Sequence, residues 1–410
     1  MTAFSDLPES PRPQPIGALP WPAGMLLLPA GAAEVAAALV RGAEVTEWPA
    51  DAAFMRRALD EDIEGAVADL PDDDLLSRFN RAVLVGGEGV WEALAEEASG
   101  ELRALVDVAR FSVGLLDVPP PLDGTTGEVR AVVGSARASA AMEQDAFGAA
   151  VEELKEAAAA ADDAGSPLLA ASLHLTRAEL LRERLDRARD AALEADLAIQ
   201  RLPLSAPSEL RAELQVARAM ARQELAGTDR GALLAVVADL TEASKIFRED
   251  THPEMSAVIN QHLALAYLVM PMSDQGDRIR VGVAVNSLRS ALKVYTPETH
   301  PAAWASTTLN LANALQYLPS VHQEQNLDEA VQLYEELLQH RDPERDPIGY
   351  ARILANQGNA LGHLGVFTDA RSRLERARSI FEAYGDSNGV EGVDEVLASL
   401  SDAETAAAGA

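Results

Sequence analysis

The sequence predicts an all-α protein whose larger part is a solenoid of stacked helical hairpins. Near the C-terminal end three segments repeat one another, beginning at Asn260, Leu309 and Ala355, and each reads as two helices joined by a turn. Such self-similarity decides the architecture, because each hairpin can bury its apolar face only against its neighbours. Alanine and leucine dominate the composition and aromatic residues make up only 4%, which favours helix.

Prolines mark the helix pairs further towards the N-terminus. Five of them each open a helical pattern and stand 40, 46, 48 and 46 residues apart: Pro167, Pro207, Pro253, Pro301 and Pro347. Proline suits the first helical turn, where its missing N–H would have no partner. His252, His300 and Asp346 directly precede three of these prolines, at positions suited to capping. With a further pair ahead of Pro167, we count about five helix pairs between residues 128 and 384, the first three more diverged.

The residues ahead of the solenoid predict a leader and a smaller domain. Residues 1–22 hold six prolines, which predicts a flexible or polyproline-like leader. Residues 23–120 predict a mostly helical domain, in which 25–28 and 44–48 are candidate strands of one hairpin. Its candidate helices cover residues 52–70, 72–85, 90–98 and 101–116. The segment 118–127 is the candidate linker, and residues 385–410 predict a C-terminal helix with a frayed tail.

Two of the C-terminal hairpins carry longer turns, at residues 270–282 and 318–326. Insertions in a solenoid gather on one face, often the binding face, so both turns predict contacts to a partner or to a second copy of the chain. Methionine offers adaptable apolar contact there, and charged residues and histidine offer polar contact. The predicted contact residues are Met270, Met272, Asp274, Arg278 and His322.

Charge and composition exclude several classes of function. The chain has 34 basic and 65 acidic residues, a formal charge of −31, which predicts no binding to nucleic acid or to anionic membranes. The acidic surface either keeps a helical protein soluble or attracts a basic partner. Without cysteine there are no disulfides, thiolate metal sites or cysteine nucleophiles. No segment reads as a secretory signal or a membrane span, which predicts a cytoplasmic protein.

No motif predicts catalysis. The glycine-rich segment 86–89 lacks the lysine and hydroxyl residue of a phosphate loop and carries Glu88, so it predicts a turn between helices. The acidic residues 72–74 predict a helix cap, and the seven histidines show no metal-ligand spacing. We therefore predict a protein that is not an enzyme and holds no cofactor or metal.

The third repeated segment resembles the tetratricopeptide repeat. Small residues stand at the expected helix crossings, with a large residue between the two of the second helix and an aromatic residue at its start: Gly358, Leu361, Phe367, Ala370, Leu374 and Ala377. The resemblance implies a right-handed superhelix whose first helices line a concave groove, and a scaffold or adaptor that binds a protein or peptide partner. A peptide- or small-molecule-sensing regulator is the alternative.

Mapped by register, the resemblance places seven candidate partner-binding residues on the first helices of the last two repeats: Asn310, Asn313, Tyr317, Arg352, Asn356, Asn359 and His363. Asparagine amides both donate and accept hydrogen bonds, which suits an extended peptide backbone. Alternatively, these amides form hydrogen bonds with the backbones of neighbouring helices and loops. Asn313 and Asn356 match the asparagines of carboxylate-clamp members, but Leu309 stands where that clamp has lysine. The block from His262 to Leu338 is also similar to repeat proteins that accompany actinobacterial nickel–iron hydrogenases, which implies an accessory or assembly factor.

Overall fold

The computed structural model describes residues 11–71, 74–271, 277–318 and 322–408. Those residues form 19 α-helices and no strand, as the predicted all-α class requires. The chain divides into two compact units, Met1–Leu225 and Ala226–Ala410. The predicted domain limits at 23–120 and 128–384, as units that fold independently, stay a prediction.

The first unit begins with six short helices: Ala33–Leu39 (α1), Ala53–Leu59 (α2), Ile63–Ala68 (α3), Leu75–Val85 (α4), Val90–Glu97 (α5) and Gly100–Ser112 (α6). The single helix expected over residues 52–70 is two, because Glu61 takes a left-handed backbone conformation, with φ of 61°. Asp62 then caps the second helix by accepting from the Gly65 N–H at 2.9 Å. Asp74 caps α4 in the same way, through the Ser77 N–H at 2.8 Å, as the acidic residues there predict.

The predicted hairpin in this region is wrong, because side-chain amides take the place of a partner strand. The backbone N–H of Leu27 donates to Asn80 Oδ1, and Asn80 Nδ2 donates back to the Leu27 carbonyl, both at 2.8 Å. Gln14 does the same for Leu28, accepting at 2.8 Å and donating at 3.0 Å. The extended backbone is therefore satisfied without a sheet.

Residues 11–22 are packed into the first unit, unlike the flexible leader predicted over 1–22. Ile16 and Gln14 are fully buried. Arg12 forms ion pairs with Glu101 and Glu128, near the starts of two helices. The composition is that of a flexible segment, but these contacts order it. Residues 1–10 lie outside the described part of the chain.

Antiparallel helix pairs follow in both units. Within the described residues the first unit holds Gly127–Glu143 (α7) with Phe147–Asp163 (α8) and Pro167–Glu183 (α9) with Ala188–Arg201 (α10), followed by Ser208–Ala226 (α11). The described part of the second unit begins with Arg230–Ser244 (α12) and holds Pro253–Val269 (α13) with Asp277–Ala291 (α14), Pro301–Tyr317 (α15) with Gln323–His340 (α16), and Pro347–His363 (α17) with Phe367–Ala383 (α18). A final helix, Ser387–Ala408 (α19), packs against α18. We call the first member of each pair a first helix and the other a second helix; α19 stands at a first-helix position.

The prolines begin helices as predicted, but only one of the three expected caps forms. Asp346 Oδ1 accepts from the Gly349 N–H at 2.9 Å. His252 and His300 make no side-chain cap. Their imidazole rings instead lie against Phe247 and Tyr295, at centroid distances of 5.2 and 5.3 Å.

The close helix crossing predicted at Gly358 and Ala370 is confirmed. A Cβ atom at Gly358 would lie 2.7 Å from Leu374 Cγ and 3.0 Å from the Ala370 carbonyl oxygen. Real Cβ atoms do not come that close, so only glycine allows α17 and α18 to pack at this distance.

The C-terminal tail and the two long turns contain more helix than predicted. Helix α19 continues to Ala408, Leu400 is buried, and Arg371 Nη2 lies 3.0 Å from Glu404 Oε2. The predicted tail is therefore helical as far as the structure describes it. Helices α14 and α16 begin inside the predicted loops 270–282 and 318–326. The side-by-side projection of these loops involves residues outside the described ranges and stays a prediction.

Candidate functional site

The first helices of the second unit stand side by side and are joined by side-chain hydrogen bonds. Gln261 Nε2 on α13 donates to Ser306 Oγ on α15 at 3.0 Å. Asn356 Nδ2 on α17 donates to Asn313 Oδ1 on α15 at 2.9 Å. On α17, Gly362 is covered by Leu400 of α19. The row of helices that the resemblance implies is therefore present here.

The seven candidate residues follow one stripe on each of two adjacent helices. We call them the first-helix face: Asn310, Asn313 and Tyr317 on α15, and Arg352, Asn356, Asn359 and His363 on α17. Successive members are three or four positions apart, which places them on one side of a helix. This periodicity carries the prediction of a shared face, and one hydrogen bond, from Asn356 to Asn313, joins two of its members across the helices.

An amide network forms the centre of this face. Asn359 Nδ2 donates to Gln316 Oε1 at 3.1 Å, and Gln316 Nε2 donates to Tyr334 Oη at 2.6 Å. Tyr334 Oη donates to Asn313 Oδ1, also at 2.6 Å, where Asn356 donates as well. We call these five side chains the amide network. Three helices are thereby joined through neutral groups.

Tyr334 anchors the amide network from beneath. Its side chain is fully buried on the second helix α16. Burial raises the pKa of the Tyr334 phenol well above its ordinary value, because the charged form would lose its hydration. The phenol therefore stays protonated and keeps its donor role.

The amide network leaves hydrogen-bonding capacity on its partly exposed side. Asn313 uses its carbonyl oxygen twice, so within the described part of the chain its two N–H donors remain available. Asn356 and Asn359 each use an amide nitrogen as donor, so their carbonyl oxygens remain as acceptors. All three side chains are half-buried. Donors and acceptors so arranged match an extended backbone, which also alternates the two.

The other four residues of the first-helix face frame the amide network. Tyr317 is 70% exposed, and Arg352 and His363 are also exposed. Asn310 is half-buried, one turn before Asn313. An aromatic ring and an arginine, the types of side chain enriched at interfaces, are therefore accessible around a polar centre.

Two observations bear on the carboxylate clamp. Leu309, at the position of the clamp lysine, is half-buried and offers no charge. Arg352 Nη2 lies 3.9 Å from Asp386 Oδ2, so an acidic group accompanies this cation. The chemistry of the first-helix face fits a peptide backbone better than a terminal carboxylate.

The five residues predicted to make loop contacts differ in where the structure places them. Met270 is only 2% exposed, so the prediction of an accessible contact there is wrong; its carbonyl accepts from Arg280 Nη2 at 2.9 Å, which ties the end of α13 to α14. His322 is exposed at the start of α16. Met272 and Asp274 lie outside the described residues. Arg278 lies in the first turn of α14, and its side chain is also outside the described part.

Sequence reasoning missed Tyr334, which completes the amide network. The register places Gln316 on the same face as Asn313, because the two stand three positions apart on one helix, although Gln316 was not among the candidate binding residues. Tyr334 carried no such signal, because it lies on the second helix among apolar core positions.

A groove of about 370 Å³ in the first unit was also missed. Four hydroxyl residues of the first helices α7 and α9 line it: Ser135, Ser139, Ser172 and Thr176. Three of these hydroxyls donate to the carbonyl four residues earlier in their own helix, at 3.1 to 3.2 Å. Trp21, 70% exposed, stands at its edge.

Metal binding and membrane insertion find no support in the described residues. These contain no group of three or more histidine and acidic side chains placed to hold a metal ion. In the same part of the chain, no helix combines the length and apolarity needed to cross a bilayer.

Comparison with known proteins yields distant structural matches. No protein-family model matches the sequence, and no curated protein matches it. Among solved structures, the TPR2AB domain–pHSP90 complex of yeast Sti1 is 15% identical, covering 67% of this chain and 100% of that chain, with a TM-score of 0.26. The APC/C hetero-tetramer Cut9–Hcn1 is also 15% identical, covering 88% and 90%, with a TM-score of 0.24. At these scores the whole chains do not superpose, so the fold assignment rests on the helix pairs themselves.

Proposed function

We propose that this protein is a non-catalytic scaffold or adaptor of the tetratricopeptide type, which binds an extended segment of a protein partner on the first-helix face. The unused amide donors and acceptors of Asn313, Asn356 and Asn359 carry the proposal. They line a partly exposed surface and are held in fixed positions by bonds to neighbouring helices.

Fixed positions matter because ordering side chains on binding costs free energy. Each long side chain immobilised at an interface costs about 0.5–1.5 kcal/mol. Asn313 and Asn356 are already bonded to one another at 2.9 Å, so a partner backbone meets amides that have lost most of this freedom. Tyr317 and Arg352, both exposed, supply the residue types that dominate binding energy at interfaces.

A random peptide library panned on the protein tests this function, because panning does not require the partner to be identified. Enriched peptides are measured by fluorescence anisotropy against the wild type and the double variant Tyr317→Ala/Arg352→Ala. We expect at least tenfold weaker binding to the variant. The matched control is Gln332→Ala/Gln339→Ala, at exposed positions of the second helix α16, which should bind as the wild type does. Equal affinity for both variants, or no enrichment at all, would contradict the proposal.

The finer proposal is that the partner belongs to a large metalloenzyme such as a hydrogenase, for which this protein acts as an accessory or assembly factor in the cytoplasm. It rests on the sequence resemblance of the block from His262 to Leu338. Co-purification from native cells, followed by mass spectrometry, should recover metalloenzyme subunits with the wild type. Their recovery should fall with Tyr317→Ala/Arg352→Ala. Recovery of unrelated proteins alone would remove the finer proposal and leave the scaffold function standing.

A second candidate, a peptide- or small-molecule-sensing regulator, is favoured by the groove in the first unit. Its volume of about 370 Å³ lies within the size range of ligand sites. Trp21 fluorescence would report an occupant directly. A peptide that quenches Trp21 and binds the Tyr317→Ala/Arg352→Ala variant normally would favour this candidate over the first.

A further inference from the structure

The C-terminal end of the second unit repeats the geometry of the hairpin before it. Asp386 caps α19 by accepting from the Gly389 N–H at 3.0 Å, and Asp346 caps α17 through Gly349 at 2.9 Å. The two caps are 40 residues apart, so each position of α17 has an equivalent in α19 forty residues later.

In the earlier hairpin, the surface formed by α16 and α17 holds the second helix α18. Gly358 of α17 lets Leu374 approach closely, and the Arg376 guanidinium lies over the Tyr350 ring at 5.4 Å. Arg373 of α18 also lies 3.1 Å from Glu335 of α16. The helix that fills this position therefore brings one apolar residue and two arginines.

The equivalent surface of α18 and α19 is an open groove of about 720 Å³. Its apolar lining includes Phe381, Val390 and Ala398. Val390 and Ala398 stand forty positions after Tyr350 and Gly358, the two residues of α17 that receive α18. Among the described residues, no helix occupies this groove as α18 occupies the previous one.

The rim of the groove is strongly acidic. Glu391 and Glu395 are exposed on α19 and line it together with Glu382 and Asp394. Arg378 lies 2.6 Å from both Glu382 and Asp394, so it offsets part of their charge. The carboxylates outnumber this cation, which leaves a negative rim around apolar residues.

We propose that this C-terminal groove binds a basic amphipathic helix of a partner protein, which continues the helical stack as α18 does within the chain. Charge selects this occupant, because arginines on the incoming helix meet Glu391 and Glu395 while its apolar face covers Val390 and Ala398. A second copy of the chain would bring a formal charge of −31 to an acidic surface, which opposes self-association. This groove shares no lining residue with the first-helix face, although Asp386 at its edge lies 3.9 Å from Arg352 of that face.

The chain supplies its own probe, since α18 is the helix that the equivalent groove already holds. A fluorescein-labelled peptide of residues 366–384, capped at both ends, is titrated into the full-length protein and followed by anisotropy. We expect saturable binding that weakens as salt is added. The double variant Glu391→Lys/Glu395→Lys should lose at least tenfold in affinity.

The matched control carries the same change of charge elsewhere. Glu324→Lys/Glu344→Lys alters two exposed residues outside the groove and should bind as the wild type does. Equal loss in both variants would mean non-specific attraction and would overturn the proposal. It would also be overturned by a scrambled peptide binding as tightly as the native order, or by dimerisation of the protein that Glu391→Lys/Glu395→Lys abolishes, since the occupant would then be a second copy.

Discussion

The two compact units are built from the same kind of helix pair, yet one polar cluster in each differs in charge. In the first unit the buried carboxylates of Glu101 and Glu128 pair with the partly exposed Arg12, and the buried Arg177 pairs with Glu194. In the second unit the shared groups of the amide network are neutral.

The difference has consequences for stability and for binding. Buried ions lose their hydration, so removing one partner leaves a costly unpaired charge. Neutral amides contribute about 1 kcal/mol per hydrogen bond. They also keep both unused donors and unused acceptors, whereas an ionised carboxylate can only accept. The first unit should therefore be sensitive to charge and pH, and the second should carry the binding surface.

The largest effect should come from Glu101, which is 1% exposed. It pairs with Arg12 and accepts from the Thr126 N–H at 2.8 Å. Replacement Glu101→Ala removes these bonds and leaves Arg12, whose side chain is 36% exposed, facing Glu128 alone. Because a hydrogen bond to a charged group contributes about 1.5–3 kcal/mol, we expect a loss of about 3 kcal/mol of unfolding free energy. Urea denaturation measures the loss. Hydrogen exchange should show deprotection of residues 11–28 and not of α15 or α17.

Exposed Glu88 provides the control for this change. Glu88→Ala should alter the unfolding free energy by less than about 0.5 kcal/mol. If Glu101→Ala behaves like Glu88→Ala, buried charge does not hold the first unit together and the comparison fails.

The next effect should come from the helix crossing in the second unit. Gly358→Leu inserts a side chain where even a Cβ atom would lie 2.7 Å from Leu374 Cγ. Overpacking should cost about 1–3 kcal/mol, seen as a lower melting temperature by circular dichroism. A Cβ at Gly148 on α8 meets no neighbouring atom within 4 Å, so Gly148→Leu should not lower the melting temperature. An unchanged melting temperature for Gly358→Leu would refute the close crossing.

A smaller effect should come from the amide network itself. Tyr334→Phe removes a hydroxyl that donates to Asn313 and accepts from Gln316, and leaves both amides short of a partner. We expect a loss of about 1–2 kcal/mol in urea denaturation, together with weaker binding of library peptides. Tyr317→Phe, at an exposed ring, should leave stability unchanged.

The same measurement on the first unit sharpens the contrast. Ser139 donates only to the Ser135 carbonyl of its own helix, at 3.1 Å. Ser139→Ala should therefore change the unfolding free energy by less than about 0.5 kcal/mol. A loss as large as that of Tyr334→Phe would mean that the hydroxyl groups along α7 and α9 stabilise the first unit as strongly as the amide network stabilises the second.

The smallest effect should be a pH dependence of the first unit. Burial lowers the pKa of His174 below its ordinary value, opposed by Asp162 and supported by Arg201 and Arg177; Glu194 also faces this ring, 2.7 Å from Nδ1. A lowered folded-state pKa means stability that is present above the unfolded-state pKa and lost as the pH falls below it. We expect a loss of about 1 kcal/mol or less between about pH 7 and 5.

The variant His174→Gln, which cannot titrate, tests this assignment. It should flatten that part of the curve of unfolding free energy against pH. Exposed His363 gives the control, and His363→Gln should keep the wild-type slope. If stability instead rises on acidification in the wild type and not in His174→Gln, the sign of the shift is wrong.

Local sequence patterns determined most of the helices. Prolines and Asp346 mark helix starts because the first helical turn accepts a missing N–H and needs a side-chain acceptor. Gly358 and Ala370 mark a crossing because only small residues allow close approach. These signals act within a few residues, so they can be recognised from the sequence alone. The composition, which has few aromatic residues, also predicts much helix, and the described residues form no strand.

Only the tertiary structure decided which polar groups meet. Residues 11–22 have the composition of a flexible leader, yet Gln14 bonds the backbone of Leu28, and Arg12 pairs with Glu101 and Glu128, 89 and 116 residues away. The register predicts the side of its helix on which Asn313 lies, but its bonds to Tyr334 and Asn356 span 21 and 43 residues. Such pairings depend on how neighbouring hairpins stack, because a hydrogen bond requires atoms within about 3 Å and helical periodicity fixes only the direction of a side chain.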